Sequence, residues 1–357
     1  MAVSDQSCPH QTETDTDTVV FVEGKLAEYR APVIDTLLEG LPTEGAPELY
    51  KLVRSYPSRP GKGLRSALCL ATTRALGGDT AAALNSAVAV ELFHNGFLIH
   101  DDIQDDSQFR RGQATLHAQY GVGAALNAGN ATNLLGLRRL MANRSTLGAG
   151  LAWDIFRETE TMLGHTLEGQ ALELAWIRDN SSELSDDDYY RMCLKKTSWY
   201  TFIYPCRLGT LLARHKDFSV TALDRFGWYL GAAFQIQDDV LNLVGTYERY
   251  GKEISGDLWE GKRTLMLIDF LRRSSGPDRE RLHNFLGKAR ASRTAAEVSW
   301  LHQRLLELGC VEHARLAAQQ LVAAALAEGC GALAAAPESD DKRFLLALPS
   351  YVVSRDH

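Results

Sequence analysis

No lysine or arginine occurs among the first eighteen residues, which carry Asp5, Glu13, Asp15 and Asp17. That excludes the basic start of a secretory signal and an Arg-rich transit peptide, so 1–18 reads as a disordered acidic tail and 19–357 as the folded domain. CxxC spacing is also missing. The six cysteines, Cys8, Cys69, Cys193, Cys206, Cys310 and Cys330, are scattered and read as reduced thiols of a cytoplasmic protein. No long apolar run is free of polar residues, which excludes stable membrane insertion. The uncharged stretch from Gln113 to Leu137 contains Asn, Gln and His and reads as a buried helix. An excess of positive charge is lacking too: 38 basic against 45 acidic residues leave a net charge of -7, which argues against generic nucleic-acid binding. Alternating β-branched runs, dividing linkers and internal repeats are scarce or absent.

What remains is helix. Over 357 residues, 45% hydrophobic and 23% charged, apolar positions recur at the helical period, as in Val20, Leu26, Val33 and Leu37 ahead of Gly40. Further helices are expected over Gly61–Leu76, from about Thr80 into an acidic motif, and over Gly123–Asn143, Ala149–Ile177, Asp186–Arg214 and Val220–Leu243. Four more follow at Thr264–Arg273, Ala295–Leu308, Glu312–Glu328 and Asp341–Ser354. The fold class is therefore all-α, in a single domain.

The acidic motif, ELFHNGFLIHDDIQDDSQFRRG from Glu91 to Gly112, organises the chain. Positions four apart on a helix share a face, so Asp101 and Asp105 stack one turn apart, with Phe97 one turn and His94 two turns before Asp101. Carboxylates this close to an apolar run repel unless cations neutralise them, and hard divalent ions bridge such carboxylates to phosphates. A lone DDxxD is more often a solvated helix end, but a second cluster follows. In Phe234–Leu243, FQIQDDVLNL, Asp238 and Asn242 lie four apart, with Asp239 adjacent and Gln235 one turn earlier. Two acidic clusters facing one cavity would hold several divalent ions, and a polyphosphate is the natural third party. Basic residues come in four groups: Lys62 and Arg65; Arg110 and Arg111; Lys195 and Lys196 beside Thr197; and Lys252 and Lys262. Each group alone reads as a solvated face, whereas their alternation with acidic groups fits diphosphate binding both direct and through metal.

These residues resemble the trans-isoprenyl diphosphate synthases, the polyprenyl synthetase family. The match runs motif by motif over about Arg59 to Arg273: GKxxR (Gly61, Lys62, Arg65), DDxxD with RRG (Asp101–Asp105, Arg110, Arg111, Gly112), KT (Lys196, Thr197) and FQxxDD (Phe234, Gln235, Asp238, Asp239). A downstream GK…GD…GKRT completes it (Lys252, Asp257, Lys262, Thr264). The resemblance implies a helical bundle around a deep central cavity, the isoprenoid synthase fold, and a homodimer. It implies that Asp101, Asp105 and Asp238 ligate Mg2+, supported by Asp102, Asp239 and Asn242, the last two within the ligand set. Asp101, Asp102, Asp105, Lys196, Asp238 and Asp239 would then be the catalytic residues. The allylic diphosphate would be held with help from Arg110, Lys196, Thr197, Gln235, Lys252 and Lys262, and isopentenyl diphosphate by Lys62, Arg65, His94 and Arg111. Departures from the family pattern are Ser66 for a usual proline, Gly63 for a larger residue, Asn130 and Glu173 at usual aspartate positions, and Asn242 at the end of the second motif.

In that family a bulky residue four or five positions before the first aspartate shortens the cavity. Here these are Phe97 and Gly96, one aromatic and one without a side chain, so the expected product is geranylgeranyl diphosphate (C20), with farnesyl diphosphate (C15) next. A terpene cyclase on the same scaffold is the rival enzyme, but it needs no second diphosphate pocket, and Lys62, Arg65, His94 and Arg111 supply one. A non-catalytic regulatory subunit of a synthase is the rival outside enzymes, and retention of both acidic clusters speaks against it.

Overall fold

The computed structural model describes residues 15–245 and 255–354. Lys252 lies outside them, as do 1–14. The first helix, α1 (Asp15–Glu39), takes in the last positions of the expected tail and stops before Gly40. It is followed by α2 (Pro47–Ser55), α3 (Leu64–Ala75) and α4 (Thr80–Gln104). A two-stranded hairpin then pairs Phe109–Arg110 with Gln113–Ala114. The uncharged stretch beyond it is not one helix. It divides at Gly121, whose φ is 80°, into α5 (Leu116–Tyr120) and α6 (Val122–Leu147). Next come α7 (Ala149–Arg178), α8 (Asp186–Cys193), a π-helical segment (Leu194–Ile203) and α9 (Tyr204–Ala213). The chain continues through α10 (Asp224–Val244), α11 (Gly256–Glu260), α12 (Leu265–Arg273) and α13 (Gly276–Leu286). It closes with α14 (Ala295–Glu307), α15 (Cys310–Ala332) and α16 (Asp340–Ser354).

The two helices that carry the acidic clusters are both largely buried. α4 is apolar and long enough to cross a membrane by composition, yet it is a core helix, with Ala83, Ala87, Val88, Ala89 and Phe93 all inaccessible or nearly so. α10 joins two apolar clusters: Phe226, Leu230 and Ala233 pack towards α3, α4 and α9, while Ile236, Val240 and Leu243 pack towards α12 to α15. A helix with no polar face needs neighbours on every side, and the shell of remaining helices supplies them. Each buried helix ends polar, at Asp101–Asp105 in one and at Asp238–Asn242 in the other.

The expected helix Asp186–Arg214 is three pieces, because its middle is π-wound. The wide segment sits between α7 and α10, and glycines on both sides let it come close. A Cβ at Gly169 would overlap the backbone of Lys196, and one at Gly231 would lie 2.5 Å from Ser198 Cα. Isolated π turns inside α-helices recur at functional sites, and this one carries Lys196, Thr197 and Tyr200. Gly231→Ala is therefore expected to lower stability by ~1–3 kcal/mol through overpacking, read as a shifted denaturation midpoint; an unshifted midpoint would show that the two backbones can part freely.

Four of the cysteines, Cys69, Cys193, Cys206 and Cys310, are free and buried, as expected.

Candidate active site

Asp101 and Asp102 end the last turn of α4, and Asp105 caps it, its N–H donating to the Asp101 carbonyl at 2.9 Å. A helix C-terminus is the negative end of the dipole, so carboxylates there need cations close by. The hairpin provides the first. Its two-residue loop, Arg111–Gly112, has positive φ at both positions (54° and 72°), the turn that matches the twist of paired strands. This loop separates the two arginines. Arg110 turns to the acidic cluster, its Nε 2.6 Å from Asp102 Oδ1 and its Nη2 3.3 Å from Asp101 Oδ2. Burial works against its charge, but Asp102 and Asp101 outweigh burial and push its pKa above the ordinary value. The fully buried Arg59 anchors the hairpin by donating to the carbonyls of Arg110 (3.1 Å) and Ala114 (2.9 Å).

Arg111 packs beside Gly61, where a Cβ would fall 2.9 Å from its guanidinium carbon. Burial, with Arg110, Arg65 and Arg30 behind it and Glu91 opposing, lowers its pKa to about 10. Arg65 lies near, its Nη1 3.3 Å from His94 Nε2. Three of the four residues expected to hold the second diphosphate, Arg65, His94 and Arg111, thus line one cavity and form a positive pocket. Lys62 turns elsewhere, donating to the Tyr351 hydroxyl at 2.9 Å. Ser66, a departure from the family pattern, hydrogen-bonds buried Glu91 through both its Oγ (2.9 Å) and its N–H (3.3 Å), a donor that proline lacks.

The cavity measures about 340 Å3. Asp101, Asp238, Asp239, Asp257, Glu173, Lys196 and Lys262 line its polar end, and Phe97, Leu98, Leu167, Tyr200 and Phe234 give it apolar walls. A smaller recess, shared by Asp101, Arg110, Asp257 and Lys262, takes in Asp105 and Asn242. Asp101 and Asp238 therefore open onto the same hollow, although 137 positions separate them in sequence.

The aspartates are not equivalent. Asp102 is inaccessible, accepting from the Tyr56 hydroxyl and from Arg110, so its side chain holds the hairpin rather than the cavity. Asp239 accepts from Tyr189 (2.7 Å) and Gln235 (2.8 Å), and burial, with Asp257 beside it, pushes its pKa well above the carboxylate range. Asn242 caps α11, its Oδ1 accepting the Asp257 N–H at 3.0 Å. Asp257 itself was left out of the expected ligands, although the GD of the downstream motif marked it; it lines the cavity 3.6 Å from Lys262. Gly96 is likewise outside the cavity. It faces α6, where a Cβ would overlap the Asn133 side-chain amide, because the π segment and α7, not α6, lie over the Phe97 face.

Lysines bridge the carboxylates. Lys262 contacts Asp105 (2.7 Å), Glu260 (2.7 Å) and Asp257, and Lys196 contacts Glu173 and, at 3.8 Å, Asp101. Glu173 thus takes the lysine with the longer side chain that replaces the usual aspartate. Burial raises Asp105 to about 6 against the pull of Lys262, and raises Glu260 to about 8. Among the described residues no ready-made group of three metal-ligating side chains exists. The donor set still suits a hard divalent ion: Asp101, Asp238 and Asp257 are oxygen donors on the main hollow and Asp105 on the recess that shares Asp101 and Asp257 with it, and those held up by burial would ionise fully beside a cation.

A charged mouth over an aromatic-walled hollow suits a substrate with a phosphorylated head and a hydrocarbon tail, and it places the chain among the isoprenoid synthases. The chain belongs to the polyprenyl synthetase family, which it matches over residues 46–303. It is 31% identical over 335 residues to a geranylgeranyl pyrophosphate synthase of Geoglobus acetivorans, covering 93% of this chain and 99% of that one. It is 33% identical over 296 residues to a geranylgeranyl diphosphate synthase of Mycobacterium tuberculosis, covering 83% of this chain and 80% of that one. The crystal structure of geranylgeranyl pyrophosphate synthetase from Pyrococcus horikoshii superposes with a TM-score of 0.81 at 28% identity, covering 96% and 100% of the two chains. The protein is a prenyltransferase that elongates prenyl chains.

Proposed function

We propose that this enzyme condenses isopentenyl diphosphate with an allylic diphosphate to give all-trans geranylgeranyl diphosphate, acting with Mg2+ in the cytoplasm as a homodimer. The observation that carries the reading is the pairing of two anion-binding regions on one hollow: Lys196, Lys262 and the carboxylates at one side, Arg65, His94 and Arg111 at the other. A cyclase needs the first alone. Relatives named geranylgeranyl diphosphate synthase support the C20 product, and a related polyprenyl synthase of Caulobacter crescentus was crystallised with calcium and isoprenyl diphosphate (25% identity, TM-score 0.82, covering 98% of this chain and 100% of that one).

Asp101, Asp105, Asp238 and Asp257 would hold the divalent ions, with Asp239 and Asn242 behind them. Bound there, Mg2+ neutralises charge on the leaving diphosphate. Lys196 and Lys262 exchange carboxylate for phosphate oxygens and draw off the charge that develops as the allylic C–O bond breaks and its electron pair leaves with the diphosphate. Thr197 and Gln235, joined by a 2.6 Å hydrogen bond, orient that diphosphate. Arg65, His94 and Arg111 hold the second diphosphate so that its double bond attacks the allylic carbon, and the released diphosphate takes the proton. Phe97, Leu98 and Phe234 exclude the water that would quench the cation. Leu126, Leu134, Met141 and Trp153 leave an exposed apolar stripe on α6 and α7, which supports dimerisation through these helices.

Incubation of the full chain with Mg2+, farnesyl diphosphate and labelled isopentenyl diphosphate is expected to give one C20 product after dephosphorylation. Hydrocarbon release without uptake of label would mean cyclisation, and a main species of C30 or longer would overturn the assigned length.

A further inference from the structure

Tyr200 touches both the second anion-binding region and the apolar wall. Its ring lies 4.3 Å under the Arg65 guanidinium, and Arg65 Nη2 donates to its hydroxyl at 2.7 Å and to Thr201 Oγ1 at 2.9 Å. The same ring meets Phe97 edge-on, with centroids 5.5 Å apart at 89°. Among the described residues no carboxylate pairs with Arg65, so the His94 ring nitrogen, two hydroxyl oxygens and a π face set its orientation while its charge is left for an anion. Tyr200 lies on the π segment together with Lys196 and Thr197.

We propose that Tyr200 is a positioning residue for the isopentenyl diphosphate arginine and, through the same ring, a determinant of product length. The hydroxyl fixes Arg65, and the ring closes the wall that Phe97 begins. This inference rests on the reading of Arg65 as a diphosphate ligand. Its two halves separate by substitution: Tyr200→Phe keeps the wall and removes the hydrogen bond, whereas Tyr200→Leu removes both.

Steady-state kinetics of the full chain with Mg2+ test it. Tyr200→Phe is expected to raise KM for isopentenyl diphosphate about tenfold, the size of a lost hydrogen bond to a charged group, with the loss falling on KM rather than kcat and sparing KM for the allylic diphosphate. Tyr200→Leu is expected to lengthen the main product by at least one isoprene unit. An unmoved KM for isopentenyl diphosphate in Tyr200→Phe, or an equal rise for both diphosphates, overturns the positioning role. An unchanged product in folded Tyr200→Leu overturns the length role, and if that variant does not fold, the more flexible Tyr200→Met, which also removes the ring, is read for product length in the same way. Wild-type enzyme that takes up no isopentenyl diphosphate sinks the elongation reading itself, a result distinct from either.

Discussion

Asp101→Ala is expected to fold and melt like the wild type while losing ~10^3-fold or more in kcat, the scale on which removing one preorganised charge-stabilising contact is felt. The side chain is 26% exposed at the cavity mouth, and its contacts with Arg110 (3.3 Å) and Lys196 (3.8 Å) are long. Both cations keep a second carboxylate, Asp102 and Glu173 respectively, so deleting Asp101 leaves neither Arg110 nor Lys196 without a carboxylate partner. On the proposed function, what it removes is an oxygen donor to the ions that would neutralise the diphosphate. Saturating kinetics beside a thermal melt read the two effects separately, and a kcat within tenfold of wild type would remove Asp101 from the metal site.

One residue along, the balance reverses. Asp102→Ala is expected to cost ~3–5 kcal/mol of stability, as breaking a buried ion pair from one side does. Asp102 lies about 100° round the helix from Asp101, which turns it into the protein. There Arg110 and the Tyr56 hydroxyl converge on it, and its removal leaves a buried guanidinium with a weaker partner and a phenol without its acceptor. The hairpin that Arg110 belongs to would loosen with it. Chemical denaturation measures this directly; a midpoint equal to that of wild type would show that water or Asp101 takes over.

The neighbouring aspartates show how far the sequence could be read. Helical spacing placed Asp101 and Asp105 on one face correctly, because a periodicity is a property of the chain itself. Which of two adjacent carboxylates faces the hollow depends on what packs against α4, and Tyr56 and Arg110 come from elements whose docking no local pattern encodes. The same holds for Gly96, whose spacing suggested the cavity floor while α6 fills the space beside it. The motif marks Lys62 but not its partner from α16, the Tyr351 hydroxyl, to which its amine donates. The π segment has a nearly helical apolar pattern and so reads as ordinary helix; the close approach it makes depends on Gly169 and Gly231, which lie on other helices. α2 and α13 went unread because each begins at or next to a proline, which marks a first helical turn as readily as a break.

Lys196 and Lys262 have a consequence for what can enter. Each already sits among acids, so these two lysines and their carboxylates balance one another like a small crystal of their own salt. A bare anion that claimed the lysines would strand the acids in a dry place, and a bare cation that claimed the acids would strand the lysines. Only a guest bringing both signs together leaves nothing uncompensated. Admission is thereby a matter of stoichiometry as much as of shape, and the hydrocarbon tail is examined only after the head has arrived with its counter-ions.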